Sequence, residues 1–112
     1  MLPLELFKAL SDITRLQCIL LIQQEQELCV CELMAALELS QPKVSRHLAL
    51  LRDANLLAAE RRGQWIYYRL SSVLEPWVLM ILEQTSRQQN LAELTHRLSI
   101  IGDRPERVAQ CC

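Results

Sequence analysis

The sequence predicts a mainly α-helical domain that carries a single β-hairpin. Two observations point to this class. Apolar residues recur at helical spacing through most of the chain, whereas one segment near its middle has strand-forming residues on either side of Gly63-Gln64. A chain of 112 residues has room for one domain. We assign that domain to residues 1–101 and expect residues 102–112 to form a mobile, polar C-terminal tail.

The first half of the chain is predicted to form four short helices. The first covers residues 4–10, and Asp12 is the expected N-cap of the second. A polar connection at residues 23–27 leads to a third helix at residues 31–37. Ser40 is the expected N-cap of the fourth helix, and Pro42 falls in its first turn, where a proline removes no hydrogen bond. The helix is expected to stop at Asn55, which tolerates a left-handed backbone.

The fourth helix is followed by the predicted hairpin, whose strands are Leu57–Arg62 and Trp65–Leu70. Two short helices joined by a tight link and followed by a hairpin are the elements of a winged helix-turn-helix. Residues 73–85 are predicted to form a further helix with a wide apolar surface, more than one small core would cover, which favours a homodimer. A weaker helix is predicted at residues 91–101.

The charge distribution favours a nucleic-acid partner, although the chain as a whole has a net charge of −1. Residues 40–70 contain six basic and two acidic residues, so this window carries +4. A cationic surface on an otherwise anionic protein is suited to phosphate contacts. An ordinary solvated patch is the alternative explanation.

The fourth helix and the hairpin tip supply the side chains expected to contact DNA. The apolar face of the helix, formed by Val44, Leu48 and Leu51, is expected to be buried, which leaves a polar face for base edges and phosphates. Double-stranded operator DNA is the predicted partner. The residues predicted to form this surface are Ser40, Gln41, Lys43, Val44, Ser45, Arg46, His47, Arg52, Arg61 and Arg62.

Cys29 and Cys31 lie two residues apart, immediately before the predicted third helix, with Cys31 as its expected N-cap. Soft thiolates prefer soft ions, and the helix N-terminus should lower the pKa of a thiol. Residues i and i+2 point about 200° apart on an α-helix but to the same side of an extended segment. A chelate through both sulfurs therefore requires this helix start to be non-helical or to unwind. Two small buried hydrophobic residues are the alternative.

Four segments together resemble the ArsR/SmtB family of homodimeric winged-helix repressors, which release DNA on binding a metal or metalloid. They are residues 10–16, 27–33, 40–48 and 63–70, and the resemblance covers roughly residues 3–85. It implies that residues 40–52 form the recognition helix, that residues 61–65 form the wing tip, and that the first helix and the 73–85 helix form the dimer interface.

Within that family the chain resembles the arsenite-responsive repressors, which implies Cys29 and Cys31 as ligands of As(III) or Sb(III). This ion would be an inducer and not a permanent cofactor. Some relatives have a third cysteine where this chain has Met34, so the third ligand is left open among Cys18, Cys111, Cys112, a cellular thiol and solvent. A repressor that responds to Cd(II), Pb(II) or thiol oxidation is the alternative.

Other classes of function are disfavoured by the sequence. A thiol oxidoreductase would be expected to carry Cys-x-x-Cys, which is absent, so we expect no enzyme activity. Charged residues interrupt the first apolar residues and the longest apolar run is short, so we expect neither a signal peptide nor a membrane segment. These features, together with five cysteines that lack the pattern of a disulfide framework, favour a cytoplasmic protein.

Overall fold

A computed structural model describes residues 1–105 and 107–108 of the chain. Within these residues, six helices and three strands follow one another. They are α1 Pro3–Leu10, α2 Ile13–Glu25, β1 Leu28–Cys29, α3 Val30–Leu37, α4 Gln41–Asp53, β2 Leu57–Arg62, β3 Trp65–Leu70, α5 Pro76–Gln88 and α6 Ala92–Ile101. The predicted winged helix-turn-helix is confirmed, and the two strands of the hairpin have the predicted bounds.

Local capping explains where the helices begin and end. The Asp12 carboxylate accepts hydrogen bonds from the backbone N–H groups of Thr14 at 2.9 Å and Arg15 at 3.1 Å, as expected of an N-cap. Asn55, with φ of +63°, takes the left-handed conformation predicted just after α4. Ser40 is the N-cap of α4, but its side chain makes no capping hydrogen bond.

Several predicted helix boundaries were wrong. The sequence predicts a connection at residues 23–27, but residues 23–25 continue α2, which ends at Glu25 and has Gln26 as its C-cap with φ of +74°. The helix predicted from residue 73 begins at Pro76, because Glu75 is its N-cap and proline suits the first helical position. The N-cap of α3 is Cys29 and not Cys31.

The short strand β1 was not predicted, and it turns the hairpin into a three-stranded antiparallel sheet of order β1-β3-β2. Leu28 pairs with Tyr68 and Cys29 pairs with Tyr67. A two-residue strand has no sequence period of its own, since its pairing with β3 alone defines it. This pairing attaches the segment before α3 to the wing.

One hydrophobic core joins all the helices and the sheet. Its fully buried side chains include Leu20 of α2, Leu33 of α3, Leu48 of α4 and Leu82 of α5. Through this core α3, which begins at the cysteine pair, packs directly against α4. No helix in the described part of the chain combines the length and the apolar character needed to cross a bilayer.

Candidate cysteine site and nucleic-acid interface

The cysteine pair lies where an extended strand becomes a helix. Cys29 ends β1 with φ of −90° and ψ of 166°, and Cys31 lies in the first turn of α3. Their Sγ atoms are 3.5 Å apart. Since metal–thiolate bonds are about 2.3 Å long, both sulfurs can reach one soft ion from these positions. The predicted requirement for a non-helical start is met at Cys29, and the helix need not unwind further to bring the sulfurs together.

The surroundings of the pair are apolar and protected from solvent. Cys29 is fully buried and Cys31 is 9% exposed. Both pack with Tyr67, and Trp65 and Val108 lie against this small cluster. The site thus combines the start of α3, strand β3 of the wing and the chain beyond α6. Within the described residues, no set of three His, Cys, Asp or Glu side chains is arranged to hold a metal ion.

Glu32 fixes the backbone at this helix start. Its side chain is fully buried, and Oε1 accepts a hydrogen bond from the backbone N–H of Cys29 at 2.9 Å. Oε2 accepts from Arg107 Nε at 2.6 Å and from Arg104 Nε at 3.2 Å. Burial by itself would raise the pKa of the Glu32 carboxyl, but the bonds from Arg104, Cys29 and Arg107 outweigh it, so the pKa lies below its ordinary value.

A second carboxylate joins the wing to the same region. Glu27 accepts two hydrogen bonds from Arg62, at 2.9 and 2.7 Å, and one from Arg104 at 3.1 Å. The bonds from Arg62 are the main reason that the pKa of Glu27 is lowered. The guanidinium of Arg62 also stacks 4.5 Å from the centre of the Tyr67 ring. The wing and the segment before α3 therefore share an ion-pair network.

Cys18 and Met34 pack with the main core and not beside the cysteine pair. Cys18 is fully buried in the main core, and this burial raises the pKa of its thiol to about 12, which disfavours a thiolate ligand. Met34 also packs against the main core and not against the cysteine cluster. Cys111 and Cys112, considered above as further ligands, lie outside the described residues.

The polar face of α4 is exposed for most of its length. Ser40, Gln41, Lys43, Arg46 and Arg52 are exposed, and Ser45 is half-buried. No ion pair within residues 1–105 and 107–108 involves Lys43 or Arg46, whereas Arg52 pairs with its neighbour Asp53 at 3.2 Å. Two cations that have no ion pair among the described residues thus lie on the face that the sequence assigns to DNA.

Two residues of the predicted DNA surface are placed elsewhere. Val44 is fully buried, so its side chain supports α4 from the core. His47 was expected to be exposed, but its side chain is only 12% exposed and Nδ1 lies 3.3 Å from Arg15 and 3.9 Å from Asp12. Burial lowers the pKa of His47, which favours a neutral ring. His47 links α4 to the start of α2, because it lies on the side of α4 that faces α2.

The two arginines at the wing tip also differ. Arg61 is exposed, and its Nε donates to the carbonyl oxygen of Gly63 at 3.1 Å. Arg62 was predicted to contact DNA, but in this structure it is bound to Glu27 and to Glu60, at 3.1 Å from the latter. Its charge is therefore balanced within the protein, whereas that of Arg61 is not paired among the described residues.

The sequence interpretation missed Glu32, Arg104 and Arg107. Glu32 had a recognisable signal, since it follows Cys29 by three residues, the spacing of a capping box. The signal was hidden because cysteine takes the place usually held by serine or threonine. No local pattern marks the two arginines, whose partners lie more than 70 residues earlier in the chain.

Comparison with known proteins assigns this chain to a family. Residues 12–59 match the profile described as "Bacterial regulatory protein, arsR family". The chain is 50% identical to the arsenic resistance transcriptional regulator ArsR2 of Pseudomonas putida, over 98% of this chain and 97% of that protein. The chain belongs to the ArsR family of bacterial regulatory proteins. It is a winged-helix transcriptional repressor and not an enzyme.

Further ArsR-family relatives and solved winged-helix structures agree with this assignment. The Escherichia coli arsenical resistance operon repressor is 49% identical over 78% of this chain and 74% of its own length. Among solved structures, HlyU from Vibrio cholerae has a TM-score of 0.68 and 36% identity, covering 76% of this chain and 88% of its own. The AntR antimony-specific transcriptional repressor has a TM-score of 0.61 and 36% identity, covering 75% and 78%.

Proposed function

We propose that this ArsR-family protein is a homodimeric repressor of an arsenic-resistance operon in the cytoplasm. Its release from operator DNA would follow the binding of As(III) or Sb(III) to Cys29 and Cys31. The observation that carries the proposal is the 3.5 Å separation of the two sulfurs at the start of the helix that packs on α4. The names of the relatives, which refer to arsenic resistance and to antimony, support the choice of ion.

The chemistry of capture is an exchange of ligands on the metalloid. With both cysteines reduced, arsenite loses two As–OH bonds and gains two As–S bonds. Each thiol supplies the proton that converts a departing hydroxide into water, so two waters leave and no atom changes its oxidation state. The third position on arsenic would be filled by a hydroxide from solvent, a cellular thiol or a cysteine of residues 111–112. The high pKa of Cys18 argues against that residue.

The polar face of α4 is the proposed DNA-reading surface. Gln41, Lys43 and Arg46 are exposed there, and residue types of this kind bind base edges and phosphates in the major groove. Ser40, Ser45 and Arg52 flank them, and Arg61 and Arg62 would approach the backbone from the wing. We assign His47 and Val44 to supporting α4 instead.

The dimer interface is proposed to involve α1 and α5. Both helices expose large apolar side chains, which a monomer in water would leave uncovered. Leu2, Leu4 and Phe7 are 66%, 65% and 52% exposed, at or within α1, and Met80 of α5 is 66% exposed. A two-fold dimer would present two α4 helices to successive major grooves, about 34 Å apart along the DNA.

Ion binding would act on DNA through the packing of α3 on α4. Leu33 and Ala36 of α3 share the core with Val44 and Leu48 of α4, so a shift at the start of α3 changes the support of the reading helix. The ion can drive this change only if it binds the released conformation more tightly than the DNA-bound one.

An operator-binding titration tests the proposal. Arsenite, antimonite and Cd(II) are added separately to the protein–DNA complex, and the bound fraction is followed by fluorescence anisotropy. We expect arsenite and antimonite to release the wild type and the Cys18→Ala control, but not the Cys29→Ser/Cys31→Ser double variant. Equal release of the double variant by arsenite would contradict the proposal.

The same titration separates the two alternative inducers. Release by Cd(II) and not by arsenite would indicate a cadmium or lead sensor. Release by peroxide alone would indicate a thiol-redox repressor.

A further inference from the structure

The chain beyond α6 returns to the cysteine pair. Gly102, with φ of +129°, follows the last residue of α6 and allows the chain to reverse. Arg104 and Arg107 then reach Glu25 of α2, Glu27 before β1, and Glu32 of α3. Val108 packs against the cluster of Cys29, Cys31 and Tyr67. We refer to residues 104–105 and 107–108 as the strap. Arg107 is only 5% exposed, in a region that the sequence predicts to be a mobile, polar tail.

The strap is held by buried ion pairs. Glu32 is fully buried, and both of its oxygens accept hydrogen bonds from strap arginines. Arg107 also donates to Glu25 at 3.3 Å and to the carbonyl oxygen of Gly102 at 3.2 Å. Such pairs cost much to desolvate, and they persist when further hydrogen bonds satisfy each charge, as they do here.

The same carboxylate that holds the strap also sets the geometry of the cysteines. Glu32 Oε1 accepts the Cys29 N–H, and this bond keeps Cys29 extended at the N-cap while Cys31 begins the helix. That difference in backbone conformation is what brings the sulfurs to one side of the chain. Any change in the position of Glu32 is therefore transmitted to the sulfur pair by a single hydrogen bond.

We propose that Glu32, Arg104 and Arg107 are positioning residues of the metalloid site, and that the strap holds the cysteine pair ready to bind. The inference rests on the proposed function, because it concerns the affinity of the same site for arsenite. None of the three residues is proposed as a ligand of the ion. They lower the cost of ordering the two ligands, and a preorganised site binds more tightly than one that must be ordered on binding.

The test is an arsenite titration of the full chain in the absence of DNA. Trp65 packs against the cysteine cluster, so its fluorescence reports on the site once Trp77 has been replaced by phenylalanine in every protein compared. We expect Arg107→Ala to raise the arsenite concentration at half-maximal change by about tenfold, which corresponds to about 1.4 kcal/mol. Arg107→Lys, which keeps the charge, is expected to recover most of this loss.

Arg97→Ala is the matched control. Arg97 also ties the C-terminal part of the chain to α3, since it donates to Ala36 at 2.8 Å and pairs with Glu38 at 3.0 Å. These contacts lie at the other end of α3, so we expect the control to bind arsenite like the wild type. If the arginines only stabilise the fold, the arsenite titrations of Arg107→Ala and Arg97→Ala would shift equally. This result would overturn the inference.

Two further variants keep the test decisive if Arg107→Ala does not fold. Arg104→Ala removes a partly exposed arginine and is expected to shift the titration in the same direction. Glu32→Gln retains an acceptor for the Cys29 N–H and removes the charge that holds the strap, so it is also expected to weaken binding. Unchanged or tighter binding in both would overturn the inference.

The wild type distinguishes failure of this inference from failure of the proposed function. The wild type and every strap variant could respond at the same arsenite concentration. That result would leave the proposed function intact and refute the positioning role of the strap. A wild type without any response would refute both.

Discussion

The start of α3 and the outward face of α4 are two charged regions of the same small domain, and their charges are arranged in opposite ways. At α3 a buried carboxylate is satisfied by two arginines and a backbone N–H. On α4, Lys43 and Arg46 are exposed and have no ion pair within the described part of the chain. Charges bound within the protein maintain a geometry, whereas charges left in solvent are available to a partner.

The wing shows the same contrast in two adjacent residues. Arg62 is bound to Glu27 and Glu60 and stacks on Tyr67, whereas Arg61 is exposed and bonds only a backbone carbonyl of the described residues. A stretch of two arginines in the sequence therefore contains one residue that joins the wing to the cysteine site and one that is free to contact phosphate. The contrast leads to three predictions, beginning with the largest effect.

Removal of the buried carboxylate should have the largest effect on stability. Glu32→Ala leaves Arg107 buried without its main partner and Cys29 without its capping acceptor, so we expect the free energy of unfolding to fall by about 3–5 kcal/mol. Urea denaturation followed by circular dichroism measures this loss. The matched variant Lys43→Ala, on the exposed face of α4, should change the stability by less than about 0.5 kcal/mol. Equal losses in the two variants would contradict the proposed division of roles.

Removal of an exposed cation from α4 should act on DNA binding alone. We expect Arg46→Ala to weaken operator binding by roughly tenfold to a hundredfold, or about 1–3 kcal/mol, if the guanidinium contacts a base. Fluorescence anisotropy at constant salt measures this change. Arg87→Ala, which removes an exposed arginine of α5 paired with Glu83, serves as the control and should bind DNA like the wild type. An Arg46 variant with full affinity would exclude this residue from the interface.

The two adjacent arginines of the wing should give the smallest effects. Arg61→Ala is expected to reduce the slope of log affinity against log salt by about one, with unchanged stability, because it would lose one phosphate contact. Arg62→Ala is expected to lower the free energy of unfolding by up to about 1 kcal/mol, since this ion pair is partly exposed. The salt slope should stay constant in that variant. An equal fall in slope for Arg62→Ala would mean that Arg62 leaves Glu27 when DNA binds.

Most of the fold could be predicted because its determinants are local. The apolar spacing of α4, the Asp12 cap and the hairpin around Gly63 each act within a few residues, so the structure reproduces them. The predicted placements that failed depend on contacts between distant segments. His47 is directed toward Arg15 and Asp12 of α2, and this orientation depends on how α4 crosses α2, which no pattern within α4 specifies.

The candidate site, like the fold, has features that the sequence determines and features that depend on contacts between distant segments. The sequence by itself determined that two cysteines lie at the start of a helix and that the next helix and the hairpin carry excess positive charge. Only the tertiary structure decided that the sulfurs lie 3.5 Å apart, because pairing with β3 and the Glu32 cap hold Cys29 extended. It also decided that arginines more than 70 residues away complete this cap. Buried ion pairs depend on the distance between their groups in space, and residue spacing along the chain does not specify that distance.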